Sequence, residues 1–145
     1  MVTSALPSEA ADKLESTGGS ADDPKRTVEI LMPLHYLEIV TTDVDATCSA
    51  YAAASNLQFG ESVAELGNAR TAEAQEGHIV GVRAPMHEAE EPVVRPYWLV
   101  DDIESAVTAA VDAGGEVAHP PLQIPGRGTF AIYILGGVHH GLWQL

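Results

Sequence analysis

The chain has 145 residues, 46% of them hydrophobic, and a formal net charge of −14; that length suits a single domain with a proper core, and that charge excludes nucleic acid and anionic membranes as partners by repulsion. No apolar run reaches the roughly 18 to 20 residues needed to span a bilayer, and the opening stretch lacks the basic start and apolar run of a secretory signal, so a cytoplasmic location is expected. The one cysteine, Cys48, excludes an internal disulfide and a cysteine-built zinc site.

Residues 1–28 are rich in Ser, Ala, Asp, Glu, Gly and Pro without a sustained apolar period, which predicts a flexible N-terminal tail, with a short helix near Ser8 to Glu15 as an option. The domain proper is placed at 29–145. From residue 31 onward it carries fifteen acids, four arginines and no lysine. Such an excess reads as a well-hydrated surface in preference to a cation site, and it makes each arginine a residue to account for.

Module one, 32–85, opens with the strand Leu34-His35-Tyr36-Leu37-Glu38-Ile39-Val40. Asp43 is placed to cap a helix that carries Val44, Cys48 and Tyr51 on one face. Three short strands are predicted at about 60–66, 69–76 and 78–84, with Gly67-Asn68 as a hairpin signal. A linker follows at 86–93. Module two, 94–145, repeats the plan: a strand from Val94 to Val100, then Asp101-Asp102 opening a helix that carries Ile103, Ala106, Val107, Ala110 and Val111. Gly114-Gly115 is expected to end that helix in left-handed positions. Further strands are expected at about 116–124, 129–135 and 139–145, the first held to an edge or bulged role by Pro120-Pro121. A strand, a capped helix and three strands, given twice, is an internal repeat.

That order resembles the vicinal oxygen chelate (glyoxalase, bleomycin-resistance, extradiol dioxygenase) superfamily over about residues 32–145. The likeness is carried best by Tyr97 to Val107, by Ala113-Gly114-Gly115-Glu116-Val117, by Pro120-Pro121 with Ile124 to Gly128, and by the final Gly141-Leu142-Trp143-Gln144. The resemblance implies an α+β fold in which two βαβββ modules form a curved eight-stranded mixed sheet, helices on its outer face and a cleft on the other. It also implies a homodimer, and a divalent metal such as Fe, Mn, Ni or Zn held by His, Gln and Glu from the first and fourth strands of each module. In this chain those positions align with His35 or Tyr36, Gly81, Arg95 and Gly141.

Alternation along the strands turns Tyr36 and Glu38 into the cleft, with Arg95, Tyr97, His139 and Trp143 from the second module. These six are the ligand-binding candidates; no catalytic residue is assigned. Glu38 and Arg95 are expected either to orient a ligand or to close the former metal cavity as an ion pair. Arg83 faces the same way as Gly81 and is offered two readings, a site for an anionic substrate group or, in preference, a surface ion pair with Glu88, Glu90 or Glu91. His78, His87 and His119 are read as surface or loop residues, and Gly81 and Gly141 as leaving room in the cleft. Two functional readings follow: a small-molecule binder that uses no metal, or a metal-dependent lyase or dioxygenase with relocated ligands, His35, Glu38 and His139.

Overall fold

The computed structural model describes residues 33–145. The tail and the helix near Ser8 to Glu15 lie outside the described residues. Eight strands form one mixed, open sheet: β1 (Leu34–Val40), β2 (Ser62–Val63), β3 (Ala69–Glu73), β4 (Ile79–Arg83), β5 (Val93–Leu99), β6 (Glu116–Ile124), β7 (Gly128–Leu135) and β8 (Val138–Gln144). The order across the sheet is β2-β3-β4-β1-β5-β8-β7-β6. Helix α1 (Val44–Ser55) follows β1, and helix α2 (Ile103–Asp112) follows β5.

The repeat is visible in the pairing. Each module's first strand lies parallel to its own last strand, β1 on β4 and β5 on β8. The two first strands meet antiparallel at the centre, with Tyr36 opposite Tyr97 and Glu38 opposite Arg95. The backbone ladder thus runs unbroken from one module to the other.

Both helices start where a short acid frees them from the strand. Asp43 accepts from the Ala46 amide at 3.1 Å and Asp102 from the Ser105 amide at 3.2 Å, each satisfying a donor that the first turn leaves open. Under α1, Ile39, Cys48, Val80 and Val82 form a buried cluster against Leu37, Val44 and Tyr51. Under α2, Ile103, Ala131 and Leu142 pack with Ala106 and Val107; burying Ile103 alone is worth about 2 kcal/mol. A third cluster, Tyr36, Tyr97 and Trp143, lies on the opposite strand-facing set and belongs to the cleft.

Several elements differ from the sequence reading. The strand expected at 60–66 is only two residues long and passes into a 3-10 turn, Ala64–Leu66, closed by Gly67 and Asn68 at φ +68° and +64°. Of the glycine pair after α2, Gly114 alone takes a left-handed φ. Gly115 is required for a different reason: a Cβ there would stand 2.9 Å from the Ala110 carbonyl oxygen, so the chain turns tight against the helix end. Val111 falls off the buried face of α2 and is 44% exposed. Strand β6 sits at the sheet edge with register shifts on either side of His119, as the two prolines demand.

Candidate functional site

The face of the sheet opposite the helices holds a cavity of about 420 Å³, within the usual range for small-molecule sites. Its floor comes from the central strands. β1 supplies Tyr36 and Glu38, β4 supplies Arg83, β5 supplies Arg95 and Tyr97, and β8 supplies Trp143. The edge strands raise one wall with Leu122, Ile124, Phe130 and Ile132, and the turn after β2 raises the other with Glu65 and Leu66.

Strand alternation explains why these side chains meet. Period-two spacing on β1 sends Leu37 and Ile39 under α1 and leaves Tyr36 and Glu38 on the cleft face. A register shift between Leu34 and Tyr36 lets His35 also approach the cleft side. Its ring lies 5.2 Å from that of Trp143, at a smaller adjoining hollow of about 190 Å³. Burial, and then the neighbouring His78, lowers the His35 pKa.

Glu38 is the hub. Its Oε2 accepts from Arg83 Nε at 2.7 Å, and its Oε1 accepts from the Tyr97 hydroxyl at 2.8 Å and from Arg95 Nη1. All three charged residues are buried: Glu38 is 7% exposed, Arg83 5% and Arg95 6%. Arg83 then makes a two-pronged pair to Glu90, Nη1 to Oε1 at 2.9 Å and Nη2 to Oε2 at 2.6 Å, while the Met86 amide donates to the same carboxylate at 2.7 Å. Two carboxylates and two guanidiniums therefore balance inside the cleft.

The titration behaviour follows from these contacts. The hydrogen bond from Arg83 is the main cause holding Glu90 down to about 2, helped by the Met86 amide. The bond to Glu90 is likewise what raises Arg83 most. Burial works against the Arg95 charge, but Tyr97 and Glu38 more than offset it and its pKa is raised. Burial first, and then the nearby Glu38 charge, raises both Tyr36 and Tyr97. Both phenols remain protonated donors at neutral pH.

Five of the six sequence candidates line the cavity together; His139 does not. It is exposed, and its Nδ1 lies 3.3 Å from Arg95 Nη2. Trp143 is both core and wall, only 3% exposed, its Nε1 donating to the Arg127 carbonyl at 2.8 Å. Two cavity residues were read differently from sequence. Arg83 is no surface residue: of the three acids offered to it, Glu90 alone folds back from the linker, and Glu38, which was not offered, completes its pairing. His119, read as a surface or loop residue, lines the cavity with its ring tilted against Phe130 at 4.7 Å, and the register shifts on either side of it break the regular alternation of β6 there. A histidine followed directly by two prolines was the signal that regular alternation would fail there.

The space expected beside the two glycines is taken. A Cβ on Gly81 would fall 1.8 Å from the Tyr36 hydroxyl oxygen, and one on Gly141 would fall 2.5 Å from Tyr97 Cδ2. Each tyrosine ring from a first strand thus lies over the glycine of the neighbouring last strand. Two polar atoms in this region are buried without a partner among the described residues: the Tyr36 hydroxyl and Arg95 Nε.

These residues do not fit a divalent metal. Of the positions that align with the family's ligands, two are glycines roofed by tyrosine, one is a guanidinium, and the one shared by His35 and Tyr36 turns the Tyr36 phenol, held protonated, into the main cavity. Glu38, a member of the alternative ligand set, already receives three donors. Among the described residues no three of His, Cys, Asp and Glu gather within reach of one ion, so His35, Glu38 and His139 do not form a set.

No family model matches the chain, and no curated protein matches it. Solved structures do. A hypothetical protein from Bacillus halodurans superposes with a TM-score of 0.62 at 13% identity, over 78% of this chain and 94% of the other. Methylmalonyl-CoA epimerase from Mycobacterium tuberculosis gives 0.59 at 15%, over 77% and 86%. A variant of the Streptomyces coelicolor methylmalonyl-CoA epimerase, bound to 2-nitronate-propionyl-CoA, gives 0.58 at 18%, over 79% and 97%. These are vicinal oxygen chelate proteins, and the likeness establishes that the present chain has their glyoxalase-like fold. Among the described residues no helix is long and apolar enough to cross a membrane.

Proposed function

We propose that this chain is a metal-independent small-molecule binding module of glyoxalase-like fold, holding a compact and mainly apolar organic ligand in the cavity between its two modules. The observation that carries this reading is that the guanidinium at one aligned ligand position, Arg95, is tied with Arg83 to Glu38 in a closed network, while about 420 Å³ of aromatic and aliphatic cavity stays open above it. A guanidinium cannot ligate a cation and repels one. The carboxylate that remains is spent on three donors. Rings and branched chains around a few fixed polar groups make the kind of lining that retains small organic molecules.

A coenzyme A ester of the kind bound by the Streptomyces protein suits this cavity poorly. Its phosphates call for available cations, whereas both guanidiniums of the cavity wall already face carboxylates. The test is elemental analysis of purified protein before and after incubation with Fe, Mn, Ni, Co and Zn salts, alongside melting curves with compact aromatic and aliphatic compounds. The expected result is no metal retained through gel filtration, and a raised melting temperature with a subset of the compounds. One retained equivalent of metal, lost in Glu38→Ala, would overturn the proposal in favour of a metal-dependent lyase or dioxygenase.

A further inference from the structure

The charges around the cavity are not equally committed. Arg83, Arg95, Glu38 and Glu90 are matched to one another at hydrogen-bond distance. Glu65 is different. It stands in the cavity wall with its side chain 48% exposed, and its one ionic contact among the described residues is Arg127 Nε at 3.8 Å. That separation is too long for a hydrogen bond. Arg127 itself lines the adjoining smaller hollow and is absent from the wall of the main cavity. Glu65 is therefore the lining carboxylate left to meet a ligand.

The remaining walls favour the same sign of charge. Tyr36, Tyr97, Phe130 and Trp143 form a connected set with ring centroids 5.6–6.2 Å apart, and the faces of such rings attract cations. A chain with net charge −14 also draws cations toward its clefts and repels anions. His119 is the one imidazole on the wall, and its Nδ1 lies 2.7 Å from the Pro120 carbonyl oxygen, turned to backbone.

We infer that the ligand is a compact aromatic cation, of the class of protonated arylalkylamines, whose ring lies against the aromatic set and whose ammonium is received by Glu65. The inference rests on the reading of this cavity as a binding site. It adds the charge and shape of what binds.

The experiment is isothermal titration calorimetry of the full chain at pH 7 with three probes sharing one ring system: 1-naphthylmethylammonium, 1-naphthylmethanol and 1-naphthoate. The ammonium is expected to bind roughly tenfold tighter than the alcohol, and the carboxylate more weakly than both. Glu65→Gln should abolish the roughly tenfold preference for the ammonium over the alcohol; Arg127→Met, which removes the competing guanidinium, should tighten the ammonium. If the alcohol or the carboxylate binds as tightly as the ammonium, the inference fails while the cavity reading stands. It fails equally if the ammonium preference survives Glu65→Gln. If none of the three binds at millimolar concentration, the cavity reading falls and takes the inference with it.

Discussion

Replacing Glu38 by methionine should cost far more than replacing Arg95 by methionine, although the two residues form one ion pair. Glu38→Met leaves Arg95 buried with no carboxylate at hydrogen-bond distance among the described residues, its remaining side-chain contact being His139 Nδ1 at 3.3 Å. It also strips the Tyr97 hydroxyl of its acceptor. Arg83 loses one of two carboxylates and keeps Glu90. Stranding a buried charge costs about 3–5 kcal/mol. Arg95→Met is milder: Glu38 still receives Arg83 and Tyr97, so the loss is about 1 kcal/mol. The double variant removes the stranded guanidinium and should recover about 1–2 kcal/mol relative to Glu38→Met alone, a coupling that a double-mutant cycle reads directly. Urea unfolding of the four proteins, followed by far-UV circular dichroism at pH 7, measures all three quantities. A domain stable by about 5–15 kcal/mol leaves room for the largest of them. Equal losses for the two single variants, or a double variant no more stable than Glu38→Met, would refute the assignment of Glu38 as the hub.

Two further outcomes follow from the same network. Glu90 has its folded pKa depressed from 4.5 to about 2, so its contribution is complete above pH 4.5 and drains away as pH falls toward 2. After a discount for solvent screening it amounts to on the order of 2 kcal/mol; urea midpoints at pH 5 and pH 3 should differ less in Glu90→Gln than in the parent. The two cleft tyrosines should also part company. Tyr97→Phe loses a hydrogen bond to a carboxylate and should cost about 1–2 kcal/mol, whereas Tyr36→Phe removes a buried hydroxyl that has no partner among the described residues and should be neutral or stabilising by up to about 1 kcal/mol. Thermal melts of both variants settle the ranking.

The parts of the molecule that obey a simple period were legible in the sequence. The β1 segment alternates cleanly, so Tyr36 and Glu38 were assigned to the cleft face on which they lie, and the acids at 43 and 102 marked both helix starts. The proline pair announced an irregular edge strand. What the period does not encode is a partner brought from a loop. The preferred surface reading of Arg83 failed because its second carboxylate is Glu38, on the neighbouring strand, while Glu90 meets it from the linker with the Met86 amide donating to the same carboxylate. The same limit hid the roles of the glycines. Gly81 and Gly141 mark close approach, but only the side-chain conformations of Tyr36 and Tyr97 decide whether that space is open or filled.

The antiparallel meeting of β1 and β5 carries a consequence for assembly from fragments. Positions related by the repeat hold different residues: Glu38 answers to Tyr97, Tyr36 to Arg95 and Arg83 to Trp143. Two copies of the first module joined along the same seam would set Glu38 opposite Tyr36, and two copies of the second would set Arg95 opposite Tyr97 with no acid to receive it. Each half has become the specific complement of the other. Split in the linker, the pieces should reassemble as unlike pairs in preference to like ones, with the charge of Arg95 enforcing the choice.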